Sequence, residues 1–401
     1  MFYFVVILLC YPLLRLVTGV KSVKLREKRK KFLIYQTAKI GDLVCTTHVF
    51  RAIKRKYPDS YITVVISEYT KPILRNNVRI DTIIMFNNRM KGLLYKVRFM
   101  LKLLAASYDV AIVLVPNPTF IFMSLFALIP DVVTIVPDNI GITHRAVSFF
   151  CKSARHQMGT LTMKTYLTAL KLVGVDNGDL KKEVFFTKND VEKALRFIAK
   201  SGAVSGKDRC VGFVVSSGNR MKSLELKDIL YLSEGLIKNF NAKVILLGTS
   251  DDKEISARII KTLQSPSIIN ACGLFSLSEL PALVSLLNLV IGVDTAPIYI
   301  ADALDIPVVV IAGPCDMGEQ RPLGKNVAII ESNSSCAPCS HTYLAPYMCN
   351  RGDRICLKRL NNDQILAACG VILNKVNTFK RIGRIKKDEL KNNIIRPFPP
   401  P

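Results

Sequence analysis

The sequence predicts an α/β protein built from two consecutive Rossmann-like domains. Three observations carry this expectation. From Lys31 onward, short continuous apolar runs alternate with helix-patterned segments. That alternation describes parallel sheets covered on both faces. It stops at a polar stretch, Ser201 to Asp208, and then restarts. The chain also has 401 residues, half of them apolar, which is more than one core usually serves.

In chain order, residues 1–30 form an apolar segment with a basic flank. Met1 to Val20 is interrupted only by Pro12 and Arg15, and Lys21, Lys24, Arg26, Lys28, Arg29, Lys30 and Lys31 follow closely. A cleaved signal carries its positive charge before the apolar run, so this order excludes one. Phe2 to Leu14 is short of the roughly 20 residues that span a bilayer. The segment reads as a membrane-dipping or marginally spanning anchor with its cations beside anionic headgroups. The alternative is an apolar helix packed on the protein itself.

Residues 31–200 form the first domain. Strands are expected at Phe32–Gln36, Tyr61–Ile66, Ile80–Phe86, Val110–Val115 and Val132–Val136, with a long helix over Arg89–Ala106. Residues 201–375 form the second, with strands at Cys210–Val215, Lys243–Gly248, Leu289–Val293 and Val308–Ala312. Helices are expected over Leu224–Asn239 and from Asp251. Two consecutive units of this kind imply a cleft between them, where ligands of open sheets bind. Residues 376–401 are a basic tail ending in Pro-Phe-Pro-Pro-Pro.

The net charge of +25 points to acidic partners without choosing among them. A nucleic-acid surface needs cations interleaved with aromatics, whereas here the cations concentrate at both chain ends. Eleven Cys in a long chain without a cleavable signal fit a reducing compartment. No G-x-G-x-x-G or true P-loop occurs, and no Asp-x-Asp occurs to clamp a metal onto a diphosphate. A metal-independent anion site needs cations and helix N-termini instead.

Four segments are candidates for chemistry. In Thr37-Ala-Lys-Ile-Gly-Asp42, Gly41 permits a tight turn after a strand. Asp42 there is either a general base or a helix cap. In Gly292-Val-Asp-Thr-Ala-Pro297, a buried strand runs into a helix start. Its amides and Thr295 either hold a diphosphate or merely cap. Ser216-Ser-Gly-Asn-Arg-Met-Lys222 places Ser217 and Lys222 after another strand, as a phosphate contact or an exposed basic loop. Cys336, Cys339, Cys349 and Cys356 lie within 21 residues. They are a candidate zinc site, although the irregular spacing equally describes reduced structural thiols.

Taken together, the segments resemble glycosyltransferase family 9, the lipopolysaccharide heptosyltransferases. Lys31 to Asp59 is similar to the family's opening, Gly292 to Asp316 to its donor segment, and Cys336-Ala-Pro-Cys339 with Cys356-Leu357 to its C-terminal features. The resemblance implies a GT-B fold, two Rossmann-like domains facing each other across a cleft. It implies inverting transfer of heptose from ADP-heptose to a phosphorylated glycolipid of the lipopolysaccharide core. The expected place is the cytoplasmic face of the inner membrane, held there peripherally or monotopically by the N-terminus, with no cofactor required.

Carried onto matching positions, Asp42 is the base, with Lys39 and Gly41 on the acceptor side. Lys222 neutralises the leaving diphosphate. Ser217, Glu254, Asp294, Thr295, Ala296 and Tyr299 contact the donor. Three positions depart from the family pattern. Ala296 replaces a Gly, Tyr299 a His, and His48 a Pro. These departures leave a second expectation, a non-catalytic membrane-associated protein that binds a nucleotide-sugar or glycolipid.

Overall fold

The computed structural model describes residues 2–24, 29–87, 92–203, 208–375 and 394–395. The basic tail, apart from Ile394–Ile395, and residues 25–28 of the basic flank lie outside them. The chain divides into two compact units. One comprises Met1–Lys71, Asn77–Lys181 and Gly318–Gln320; the other comprises Pro72–Asn76, Lys182–Met317 and Arg321–Pro401.

The first unit is built on six parallel strands: β1 (Lys31–Gln36), β2 (Tyr61–Ile66), β3 (Thr82–Met85), β4 (Val110–Val113), β5 (Asp131–Pro137) and β6 (Lys152–His156). Their order is β3-β2-β1-β4-β5-β6. The sequence turns outward from β1 in both directions, so β1 and β4 meet at a topological switch point. The helices of this region are α1 (Phe2–Lys24), α2 (Ile40–Lys56), α3 (Lys71–Leu74), α4 (Leu93–Ala106), α5 (Pro118–Phe126), α6 (Ile142–Ser148) and α7 (Thr162–Lys171). Central β1 is buried from Phe32 to Gln36. A strand covered on both faces must be apolar throughout, which is why this run was legible. β6 was not anticipated. Its residues, Lys-Ser-Ala-Arg-His, alternate exposed and buried along a sheet edge, so it lacks the continuous apolar signal.

The N-terminal segment is helical and contains Pro12. Ile7 is fully buried in the same cluster as Leu33, Tyr35 and Phe86. Phe4 and Tyr11 pack on Phe150 at centroid distances of 5.6 and 5.0 Å. Burying one such aliphatic side chain contributes about 1.5–3 kcal/mol. Among the described residues, no helix is long and apolar enough to cross a membrane. The marginally spanning anchor is therefore replaced by a helix that packs one face on its own unit.

The second unit repeats the plan with β8 (Arg209–Val214), β9 (Ala242–Leu247), β10 (Ile268–Asn270), β11 (Leu289–Val293), β12 (Val308–Ile311) and β13 (Val327–Ile330), ordered β10-β9-β8-β11-β12-β13. The short β7 (Phe186–Thr187) pairs antiparallel with β14 (Ile394–Ile395). The helices are α8 (Lys188–Lys200), α9 (Leu226–Phe240), α10 (Lys253–Leu263), α11 (Leu280–Ser285), α12 (Ala296–Ala303), α13 (Ile355–Lys358) and α14 (Asn362–Lys375). A single core runs from Val211 and Phe213 through Ile291 and Ile311 to Ile365 and Leu373. β10 spans three residues and β13 is half-buried. Both sheet edges thus lacked the pattern that reveals central strands.

Gly292 is fixed by close approach. A Cβ there would sit 2.6 Å from Val214 Cβ, so β8 and β11 lie at their observed spacing only because this position has no side chain. A buried ion pair, Lys182 Nζ to Asp302 Oδ2 at 2.7 Å, holds the second unit together further along. Asp302 also accepts from the Leu323 and Gly324 amides at 2.9 and 2.7 Å.

Candidate active site

In the first unit, the turn after β1 is braced from several sides. Gln36, buried at the strand end, donates to Thr46 Oγ1 at 2.8 Å and contacts Tyr166 Oη at 3.4 Å. Ser67 Oγ donates to the Thr37 carbonyl at 2.7 Å, and Tyr69 Oη donates to the Ala38 carbonyl at 3.1 Å. Lys39 is the N-cap of α2, and Asp42 Oδ2 accepts its backbone N–H at 3.1 Å. Asp42 is half-buried in the first turn, and Gly41 is buried beside it. The cap geometry read from the sequence is therefore present. It also aims the carboxylate at the carboxyl end of the central strand, where open sheets take their ligands. Gln36, Ser67 and Tyr69 were not singled out from the sequence, because two of them come from other segments and act only through the fold.

In the second unit, four candidate segments gather at the carboxyl ends of adjacent strands. Lys222 follows β8 in a short 3₁₀ turn, with Asn219 capping it and donating to the Pro346 carbonyl at 2.8 Å. Asp294 follows β11, and Cys315 follows β12. Lys222 Nζ meets Asp294 Oδ2 at 2.5 Å, with both side chains largely buried. The Tyr299 hydroxyl donates to Asp294 Oδ1 in a short hydrogen bond. Cys315 hydrogen-bonds both Lys222 and Asp294. This network spans the β8–β11 switch point.

The charges sustain one another. Burial works against the Lys222 ammonium, but the adjacent Asp294 carboxylate outweighs it and raises Lys222 above the ordinary lysine range. Burial likewise works against the Asp294 anion, but Lys222 outweighs it and holds that carboxyl below its usual range. Cys315 is pushed well up, by burial first and then by Asp294. A cation is thereby kept charged at the strand ends, as binding a diphosphate requires.

The remaining donor-side candidates fall around this network. Ser217 is buried, its backbone N–H donating to Ser223 Oγ at 3.1 Å. Thr295 is the N-cap of α12 in extended backbone, and its hydroxyl does not cap the helix. Ala296 and Pro297 open that helix, leaving its first amides at the strand end. Tyr299 is fully buried with its hydroxyl spent on Asp294. Glu254 is exposed on the first turn of α10. The buried carboxylate of that turn is Asp252, which accepts from Thr249 N at 2.7 Å. Cys315 went unassigned in the sequence because a lone thiol carries no spacing signal.

All four clustered cysteines are free thiols, Cys356 buried and the others half-buried. Burial pushes up the Cys356 thiol, with Cys336, Cys339 and Cys349 adding to the effect. The Cys349 thiol is lowered by backbone donation from Arg354, Arg351 and Gly352, against a smaller burial effect. The sulfurs do not converge to within 4.8 Å of one another. Within the second unit, His341 Nδ1 lies 3.1 Å from Asp316 Oδ2.

A sheet order of 3-2-1-4-5-6 in both units, with cations and helix starts at the switch point, defines a nucleotide-binding α/β enzyme. Comparison with known proteins narrows this. A profile of glycosyltransferase family 9 (heptosyltransferase) matches residues 97–346. Lipopolysaccharide heptosyltransferase 3 of Escherichia coli (strain K12) is 26% identical over 299 residues, covering 72% of this chain and 83% of the relative. A family 9 crystal structure from Veillonella parvula superposes with a TM-score of 0.71 at 18% identity, covering 87% of this chain and 99% of that one. The structure of E. coli ADP-heptose lps heptosyltransferase II gives 0.67 at 17% identity, covering 86% and 99%. The chain belongs to glycosyltransferase family 9. It is accordingly a glycosyltransferase, which sets aside the non-catalytic reading.

Proposed function

We propose that the protein transfers heptose from ADP-heptose to a hydroxyl of a lipopolysaccharide-core or related phosphorylated glycolipid, with inversion, at the cytoplasmic face of the inner membrane. The observation that carries this reading is the buried Lys222–Asp294 pair at the switch point of the second unit, beside the start of α12. A similar E. coli protein, heptosyltransferase WaaC, has been solved with ADP (TM-score 0.61, 17% identity, covering 85% of this chain and 99% of that one). The lipopolysaccharide heptosyltransferase 3 relative supports the acceptor class.

In the proposed reaction, Asp42 takes the proton of the acceptor hydroxyl. The oxygen bonds to the anomeric carbon on the face opposite the nucleotide, and the bond from that carbon to the diphosphate breaks. Negative charge develops on the leaving ADP. Lys222 and the α12 amides stabilise it, and Asp294, Tyr299 and Cys315 hold Lys222 in place. These groups supply the charge that a metal clamp would otherwise provide, so transfer proceeds without a divalent cation.

The test is nucleotide release from detergent-held protein given a panel of nucleotide-sugars and truncated lipopolysaccharide. Acceptor-dependent ADP release from ADP-heptose, undiminished by EDTA, is the expected result. Release of another nucleotide, or release abolished by EDTA and restored by Mg²⁺, overturns the donor or the metal-free assignment respectively.

A further inference from the structure

Packing of α1 on its own unit leaves the other side of that helix without a protein partner among the described residues. Val5, Leu8, Leu9, Leu13 and Leu16 follow one helical face and are all exposed, Leu9 at 77% and Leu13 at 66%. The row continues into α6. Phe150, which receives Phe4 and Tyr11 of α1, packs edge-on against Phe149 at 5.8 Å, and Phe149 is 85% exposed. Water-facing phenylalanine and leucine in one neighbourhood mark an interaction surface rather than scatter.

The same Phe149 forms the wall of a pocket of about 420 Å³ between α6 and the edge strand β6. Arg145 and Ser148 from α6, Ser153 and Arg155 from β6, and Val136, Pro137 and Asp138 from the end of β5 complete it. Arg145 donates only to the Asp138 backbone carbonyl, at 3.2 Å. Arg155 has no ion pair or hydrogen bond among the described residues. Two guanidiniums and two hydroxyls stand against one carboxylate, a donor set suited to a phosphate.

We infer that α1 and Phe149 lie in the bilayer interface while Arg145 and Arg155 take the phosphate of an anionic phospholipid headgroup. This rests on the membrane placement proposed above and gives it an in-plane geometry. Helix α1 is too short and polar at its end to cross, but it has the apolar face and basic C-terminal flank of an interfacial helix. A second copy of the chain is the other occupant of such a face. It would bring another net charge of +25 to the same surface, and that repulsion favours an anionic partner instead.

The test uses full-length protein with extruded vesicles of phosphatidylcholine, with and without phosphatidylglycerol. Wild type should sediment with both and prefer the anionic vesicles. Leu9→Glu with Leu13→Glu should weaken binding to both by about a hundredfold. Arg145→Gln with Arg155→Gln should lower binding to the anionic vesicles by about twentyfold and abolish the preference. Both sites are exposed, so far-UV circular dichroism should not change. The inference is overturned if either variant binds as wild type does. It is also overturned if inorganic phosphate displaces the protein from anionic vesicles, or if wild type dimerises without lipid and the leucine variant does not. ADP release with an acyl-free acceptor separates this from the catalytic reading. Both variants should turn over as wild type does, and failure of wild type itself on that acceptor counts against the catalytic reading alone.

Discussion

Asp294→Asn should destabilise the second unit more than any surface change, because it leaves a buried cation without its counter-charge. Lys222 and Asp294 expose only 12% and 13% of their side chains, so little water is present to take over. Removing one partner of such a pair costs about 3–5 kcal/mol. Replacing both with apolar side chains is often neutral, so Lys222→Met with Asp294→Leu should recover most of that loss. The assay is urea unfolding followed by far-UV circular dichroism, since the chain has no Trp for fluorescence.

The pH dependence of that difference has a defined sign. Asp294 is depressed, so its contribution is present above the unfolded carboxylate pKa of about 4. That contribution is lost as pH falls through the lower folded value. Lys222 is raised, so its contribution is present below the unfolded lysine pKa of about 10.4. It is lost only as pH rises through the higher folded value. Between these limits the gap between wild type and Asp294→Asn should be flat. A single variant within 0.5 kcal/mol of wild type at neutral pH, on the order of ordinary surface changes, refutes the reasoning. So does a double variant no more stable than the single one. The double variant should also lack transferase activity while remaining folded, which separates stability from charge.

Three further outcomes follow. Asp42→Asn should lower turnover by roughly 10²–10⁴-fold with donor affinity by calorimetry unchanged; unaltered turnover removes Asp42 as base. Gly292→Ala should cost about 1–3 kcal/mol of overpacking, because the new methyl meets Val214 at 2.6 Å, and urea midpoints would read it. Cys349 should react with iodoacetamide ahead of buried Cys210, Cys272 and Cys369, whose thiols burial pushes up to about 11, 12 and 12. Peptide mapping after brief labelling at pH 8 checks this, and uniform labelling contradicts it.

The fold class was legible because central strands such as Phe32–Gln36 and Leu289–Val293 must be apolar on both faces. The outer strands β6, β10 and β13 were not, because a half-covered strand leaves no continuous run. Asp42, Lys222 and Asp294 could be singled out by the strand-to-helix turns they occupy, which local sequence encodes. Their surroundings could not. Cys315, Gln36 and Ser67 matter only through strands that are distant in sequence and adjacent in the sheet. Tyr299 shows the division most clearly. In the sequence it stands as a departure from a family pattern. In the structure it is a buried donor that helps hold Asp294 as an anion. The N-terminal segment divides in the same way. Its apolar character was fixed by composition. Which face meets the protein and which is left open was decided by Phe150 and the core around Ile7, because burial depends on what a folded neighbour presents.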